Sequence, residues 1–366
     1  MRLRSVAVAD FRNVRAVYFE PGEQFNLLHG LNGQGKTNLL EAIYLLGSPR
    51  SFRTARLPEL ICHGGQRAQI HGIVESGGIE SDMKLVIEPA GRKVEIDGKG
   101  VHKASDLHGK LNAVVFSPDD TGMVRMGPES RRRYLDRAVY MGDIGYLHCW
   151  HSYQRILKQR NHLLKNSDRA GLDIWTEKLA ETGAEVIERR IRFVSVLSGK
   201  LKKYYATIAG FGETSGLAYQ PNGVQSTERE LICAELLELF KKQQRTDERY
   251  GTTTAGPHRD DLSFLLDERP LKPFGSQGQQ KSFVLALKMA EMDNLHDTFG
   301  EAPLLLLDDM SAELDAHRNH NLMEFLTTRE IQVFITTTER SPALLEAAPH
   351  CAVFHVEDGN LTFEGS

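Results

Sequence analysis

The sequence predicts an α/β protein split by a long helical insertion, and three observations carry that expectation. Short β-like runs separated by glycine turns fill the first 117 residues, a proline-free stretch with helical spacing follows, and α/β texture returns from Thr252 to the end. The boundaries read as 1–117 for the first α/β part, 118–250 for an arm-like helical second domain, and 251–366 for the second α/β part. The length of 366 residues agrees with two or three domains at roughly 150 residues each.

Taken in order, residues 3–8, 25–28, 70–74, 84–87 and 113–116 read as strands, with Gly64-Gly65, Gly77-Gly78 and Asp97-Gly98 as turns. From Arg131 to about Ile208 there is no proline. Within it Trp175, Leu179, Val186, Phe193, Leu197, Leu201 and Tyr204 recur at threes, fours and sevens, the pattern of one face of a long helix. Leu147, Trp150, Leu157 and Leu164 mark an earlier helix in the same way. A β-like run at 216–219 and a helix over about 228–242 complete the insertion, and the flanking α/β parts are expected to join in one sheet.

The run Gly30-Leu31-Asn32-Gly33-Gln34-Gly35-Lys36-Thr37 matches G-x-x-x-x-G-K-[ST], with a strand before it and a helix after it. Glycines let consecutive N–H groups turn toward an anion, and the helix N-terminus adds partial positive charge. Lys36 is placed to neutralise the β- and γ-phosphates of a nucleoside triphosphate, and the Thr37 hydroxyl to ligate Mg²⁺. Far downstream, Leu304 to Leu307 reads as a buried parallel strand ending in Asp308 and Asp309. Asp308 is the candidate metal carboxylate and Asp309 the candidate for orienting attacking water.

Ser276, Gly278 and Gln279 open another helix and offer a second anion cradle, and Ser311 to Asp315 follows the acidic pair. This order of elements resembles the ATP-binding-cassette (ABC) ATPases, which implies an ABC-type P-loop ATPase head. In that superfamily Ser276 and Asp315 would lie at an ATP-bound dimer interface, with Ser276 capping the γ-phosphate of the opposite head. Six blocks in register narrow the likeness: residues 33–44, 51–54, 116–119, 131–136, 256–262 and 308–315. Together they resemble the bacterial RecF family over essentially the whole chain. The resemblance implies an ATP-dependent recombination mediator that binds single-stranded DNA, gaps and single/double-strand junctions, in a chain whose scattered cysteines and lack of a membrane span read as cytoplasmic. It also implies an ATP-dependent homodimer, work with RecR and RecO, and help in RecA loading for replication, repair and SOS induction. Ser117 stands where cassette ATPases usually have glutamine, Asp309 where they have glutamate, and Ile335 to Thr338 lacks the switch histidine. These departures imply slow ATP turnover, with nucleotide acting as a conformational switch. The alternative of another class is the soluble ATPase subunit of a cassette transporter, disfavoured by the chain's size and basic arm.

Charge and composition bound the partners. The net charge is −4, yet between Arg125 and Lys203 there are 17 Lys+Arg against 9 Asp+Glu, a local +8 that points to an anionic partner. Arg131, Arg132 and Arg133, followed by Tyr134, are the candidate DNA contacts. Mean hydropathy is −0.37 and the longest aliphatic run is Leu304 to Leu307, far short of the roughly 20 residues that span a bilayer. Cys62, Cys149, Cys233 and Cys351 form no CxxC pair, and His148, Cys149 and His151 read as helix surface rather than metal ligands. The block Gly256 to Asp261 is dense in charge, and its role is not legible from the residues.

Overall fold

In the computed structural model, which describes residues 1–166, 171–210, 212–309, 316–340, 345–346, 348 and 350–365, the chain forms two compact units. Met1–Thr121, Thr207–Phe211 and Gln277–Ser366 make the first; Gly122–Ala206 and Gly212–Ser276 make the second.

The first unit begins with β1 (Arg2–Phe11), β2 (Val14–Phe19), β3 (Phe25–His29), α1 (Lys36–Gly47), β4 (Ala68–Ser76), β5 (Ile79–Glu88), β6 (Gly91–Ile96), β7 (Lys99–Val101), the short α2 (Ala104–Leu107), β8 (Ala113–Phe116) and α3 (Pro118–Arg125), which runs into the second unit. Along β4 and β1 buried and more exposed residues largely alternate, the mark of a sheet with one face on the core. Six such strands pair in the order β2-β1-β4-β5-β6-β7, every neighbour antiparallel. Gly77-Gly78 and Asp97-Gly98 close two of its hairpins with positive φ at both central residues, as two-residue turns of right-handed twist require.

The helical unit contributes α4 (Pro128–Gly142), α5 (Ile144–Lys165), α6 (Leu172–Ala209), β9 (Ser215–Gln220), α7 (Arg229–Tyr250), β10 (Asp261–Leu266), β11 (Arg269–Pro270) and α8 (Leu271–Phe274). The chain then returns to the first unit with α9 (Gln277–Phe299), β12 (Leu304–Leu307), the helix Ala316–Thr327, β13 (Val333–Thr337), β14 (Ala352–Glu357) and β15 (Asn360–Gly365). These late strands join β3 and β8 in a second sheet, ordered β15-β14-β3-β13-β12-β8. All but β15 run parallel, and β3, β12 and β13 are largely apolar and almost wholly buried on both faces. The two α/β parts thus share one sheet, but the first part also builds a sheet of its own. Helix α1 packs on strands of both, so Leu39, Leu40, Ala42, Ile43, Leu45 and Leu46 are buried with no polar face left over.

In the second unit β10 pairs antiparallel with β9, from Asp261 opposite Gln220 to Leu266 opposite Ser215. That ladder holds residues up to Ser276 in this unit, whereas the sequence places the boundary near 250. The long helix α6 runs 38 residues with Leu179, Val186, Leu197, Leu201 and Tyr204 buried along one face. Trp175 and Phe193 are only half-buried, and Arg190 is sealed within the unit instead.

The Gly256–Asp261 block is the hub of this unit. His258 donates from Nε2 to the Thr253 carbonyl at 3.1 Å and accepts at Nδ1 from the Tyr153 hydroxyl at 2.6 Å. Asp260 accepts from the Asn222 N–H at 2.7 Å and from the Tyr219 hydroxyl, and Asp261 pairs with Arg131 at 2.8 Å. Burial holds His258 neutral, with its pKa pushed down to about 4. An unfolded histidine protonates near 6.5, so the unfolded chain takes up the proton first as pH falls. The stability is fully present above pH ~6.5 and is lost toward pH 4, by about 2 kcal/mol between pH 7 and 5. Urea unfolding at both pH values should show that loss in the wild type and little of it in His258→Gln; equal losses in the two proteins would refute the assignment.

Candidate functional site

The loop between β3 and α1 is shaped by its glycines. A side chain at Gly30 would place Cβ 2.2 Å from the Val356 carbonyl oxygen, and Gly35 sits at φ 113° with Asn13 closing the space a Cβ would need. Helix α1 begins at Lys36 with no side-chain cap and no acidic residue in its first turn. Its N-terminal donors and partial positive charge therefore face the loop, ready for an anion. Gln34 anchors the outer side of the loop: its side-chain oxygen accepts from the Asp358 N–H at 2.5 Å and its carbonyl from Gly359 at 2.9 Å. Leu31, Asn32 and Gly33 form the exposed crest.

Lys36 folds back over this loop, donating to the carbonyls of Gly30 at 2.5 Å and Leu31 at 2.9 Å. Burial lowers its pKa from the ordinary value, while Asp309 and Asp308 oppose that shift. The Thr37 hydroxyl donates to Asp308 at 2.8 and 3.0 Å from its two oxygens, across 271 residues of sequence. Thr336, at the end of β13, donates to the same carboxylate at 2.8 Å and accepts from the Asp309 N–H at 2.9 Å. Burial raises the Asp308 pKa against the hydrogen bonds from Thr336 and Thr37. Parallel register explains the meeting, since β12 lies beside β13 and β13 beside β3, so their C-terminal ends share one rim. Thr37 and Asp308 form an all-oxygen donor pair, which suits a hard Mg²⁺ ion that completes its shell with water and phosphate. Asp309 stands at this rim with φ 52°, in the left-handed region.

A ring of polar residues behind the loop escaped the sequence reading. Glu41 is fully buried on α1 and receives Arg12 at both oxygens, at 2.9 and 2.8 Å, together with Arg53 at 3.1 Å and the Ser51 hydroxyl. Arg53 also donates to Asn38 at 2.7 Å, and Asn38 donates to Asn13 at 2.7 Å. One buried carboxylate thus fixes two guanidiniums beside the loop. The available signals were Phe11-Arg12-Asn13 at a hairpin turn, which drew no assignment, and residues 33–44 and 51–54, which entered only as family markers.

Ser276 is exposed at the end of the second unit and Gly278 lies in the first turn of α9 in the first. A Cβ at Gly278 would stand 3.1 Å from the Arg318 guanidinium, so glycine there leaves room for that cation. Gln279 is half-buried in the same turn. Asp315 lies outside the described residues. Ser117, in place of the cassette glutamine, precedes α3, and its N–H and hydroxyl both donate to the Asp120 carboxylate, at 2.9 and 3.0 Å. Of the arginine cluster, Arg131 is tied to Asp261 and Arg132 to the Asp260 carbonyl at 2.8 Å, while Arg133 projects outward beside Glu129. Cys149 is buried and its thiol is pushed up to about 12, turned away from the exposed His148 and His151.

The chain matches the family model described as RecF/RecN/SMC N terminal domain over residues 2–362. It is 51% identical to the DNA replication and repair protein RecF of Trichlorobacter lovleyi, covering 100% of this chain and 99% of the relative. The corresponding protein of Geobacter sulfurreducens is 47% identical over 99% of this chain and 100% of its own length. Among solved structures, the recombination mediator protein RecF with ATP, of the RecFOR pathway, superposes with a TM-score of 0.91 at 32% identity, covering 99% of this chain and 97% of the other. An Smc head domain derived from Pyrococcus furiosus shares the fold, with a TM-score of 0.58 at 16% identity, covering 100% of this chain and 96% of its own.

Proposed function

The chain belongs to the RecF family, and on that premise we propose that it is an ATP-dependent recombination mediator of DNA gap repair, acting in the cytoplasm. The observation that carries the reading is the Thr37–Asp308 pair set against the uncapped start of α1. Lys36 neutralises the β- and γ-phosphates, while Thr37 and Asp308 hold Mg²⁺. Asp309 orients water with a shorter arm than glutamate, and Ser117, committed to Asp120, stands in place of the usual glutamine, so turnover is slow and bound ATP serves as a switch. Ser276, Gly278 and Gln279 of one protomer close over the γ-phosphate held by its partner, with Asp315 at the same interface. DNA at single/double-strand junctions, RecR and RecO are its partners, and loading of RecA is the outcome. Arg133 is the member of the arginine cluster offered to DNA. The transporter-subunit reading is set aside, because the relatives matched over full length are replication and repair proteins.

Ser276→Arg tests the switch. Lys36, Thr37 and Asp308 belong to one head, so the variant should bind ATP with near-normal affinity. The long side chain fills the space where two heads meet, so it should sediment as a monomer and lose ATP-dependent DNA binding. Normal ATP-induced dimers of a folded Ser276→Arg protein would rule out the sandwich.

A further inference from the structure

We propose that the exposed face of α5 carries the phosphate backbone of duplex DNA. This rests on the DNA-binding reading above and assigns it a surface. Helix α5 spans 22 residues, about 33 Å at roughly 1.5 Å per residue, without a single Asp or Glu. At the chain's overall acidic content about three would be expected in a helix of this length. His148, His151, Arg155, Lys158, His162 and Lys165 are all exposed and follow one another at steps of three and four, which keeps them on one side. The opposite side buries Tyr146, Cys149, Tyr153, Leu157 and Leu164.

The permanent cations of this helix behave in two opposite ways. Arg160 turns inward and pairs with Asp247 at 2.8 Å, both side chains sealed from water. Arg155, Lys158 and Lys165 have no carboxylate partner among the described residues, so their charge is available to a ligand. A helix held in the unit by an apolar face and an inward ion pair presents those cations on a rigid track. At its far end α5 meets the end of α7, where Gly251 approaches Lys165 closely enough that a Cβ would lie 3.1 Å from its Cγ. There Tyr250 is 64% exposed, with the Arg249 guanidinium 5.8 Å from its ring centroid. An exposed aromatic ring among cations suits the unpaired base at a single/double-strand junction, at the end of the duplex, better than an acidic peptide or a lipid headgroup. The three permanent cations are the phosphate contacts.

The test is the salt dependence of duplex binding, with ATP present, for the full chain and for Arg155→Gln/Lys158→Gln/Lys165→Gln. Each lost phosphate contact lowers the magnitude of the log K against log salt slope by roughly 0.9, so the triple variant should lose about 2.7. ATP affinity and melting temperature should stay at their wild-type values, since all three side chains are on the surface. An unchanged slope in a folded variant, with normal binding by the wild type, overturns the α5 assignment and leaves DNA binding intact. A wild type that binds no duplex at low salt overturns the DNA-binding reading itself. Wild-type binding to phosphatidylserine vesicles that the triple substitution abolishes, with the DNA slope unchanged, overturns the assignment in favour of a membrane surface.

Discussion

Replacing Lys36 by alanine is expected to lower ATP affinity by a factor of about 10²–10⁴. The ammonium is the only cation folded directly over the loop among the described residues, and it already donates to the Gly30 and Leu31 carbonyls. On binding it exchanges those neutral acceptors for charged phosphate oxygens. Two hydrogen bonds to charged groups are together worth about 3–6 kcal/mol, which converts to that factor. Lys36→Arg should fall between the two, since a planar fork cannot reproduce the reach of a compact ammonium inside so tight a loop. Equilibrium titration with a fluorescent ATP analogue measures the effect. An affinity for Lys36→Ala within a factor of three of wild type would end the phosphate-loop assignment.

Replacing Arg190 by methionine is expected to destabilise the helical unit by about 3–5 kcal/mol, the range for stripping one partner from a buried ion pair. Arg190 is fully buried, with Asp136 at 2.6 Å, Asp260 at 3.5 Å, the Tyr146 hydroxyl at 2.9 Å and the Pro257 carbonyl at 2.7 Å. Its guanidinium also lies 5.0 Å from the Trp150 ring centroid. Burial already pushes the Asp260 carboxyl up, with Arg190 opposing that shift most strongly among its neighbours. Without the guanidinium, Asp260 and Asp136 lose their shared counter-charge. For a unit of this size the loss is about 10 °C in melting temperature. Arg190→Lys should recover part of it, keeping the charge but not the planar contacts. A melting temperature unchanged within two degrees in Arg190→Met would show the network to be dispensable.

The strand–loop–helix of the candidate site was legible because its residues are local in sequence: the loop's glycines, Lys36 and Thr37 lie within eight positions. Asp308 was legible for a different reason, as a carboxylate at the end of an unbroken aliphatic strand. The Glu41 ring was not, because Arg12, Glu41 and Arg53 come from a hairpin, a helix and a loop that no spacing rule connects. A glutamate at a helix position reads as solvated surface until the second sheet that covers it is known. The same blindness hid Arg190 and Gly256 to Asp261, whose charges neutralise one another inside the unit instead of facing water. Arg131 shows the converse, a basic run that looks like surface and is partly committed to Asp261. Helical spacing placed α6 well, but only packing decided that Trp175 stays half-exposed.

The order of strands in the mixed sheet has a consequence for synthesis. Strand β3, which launches the phosphate loop, is hydrogen-bonded to β13 and β14, and β8 is bonded to β12. Both wait for partners made much later in the chain. On the ribosome the antiparallel sheet of residues 2–101 has all its neighbours within reach, and the helical unit is complete once Ser276 has emerged. The rim where Thr37 meets Asp308 has no hydrogen-bonded neighbours until the last strands appear. Contacts of such long sequence separation form slowly and late. A nascent chain therefore completes its helical unit before the rim that brings Thr37 to Asp308 exists.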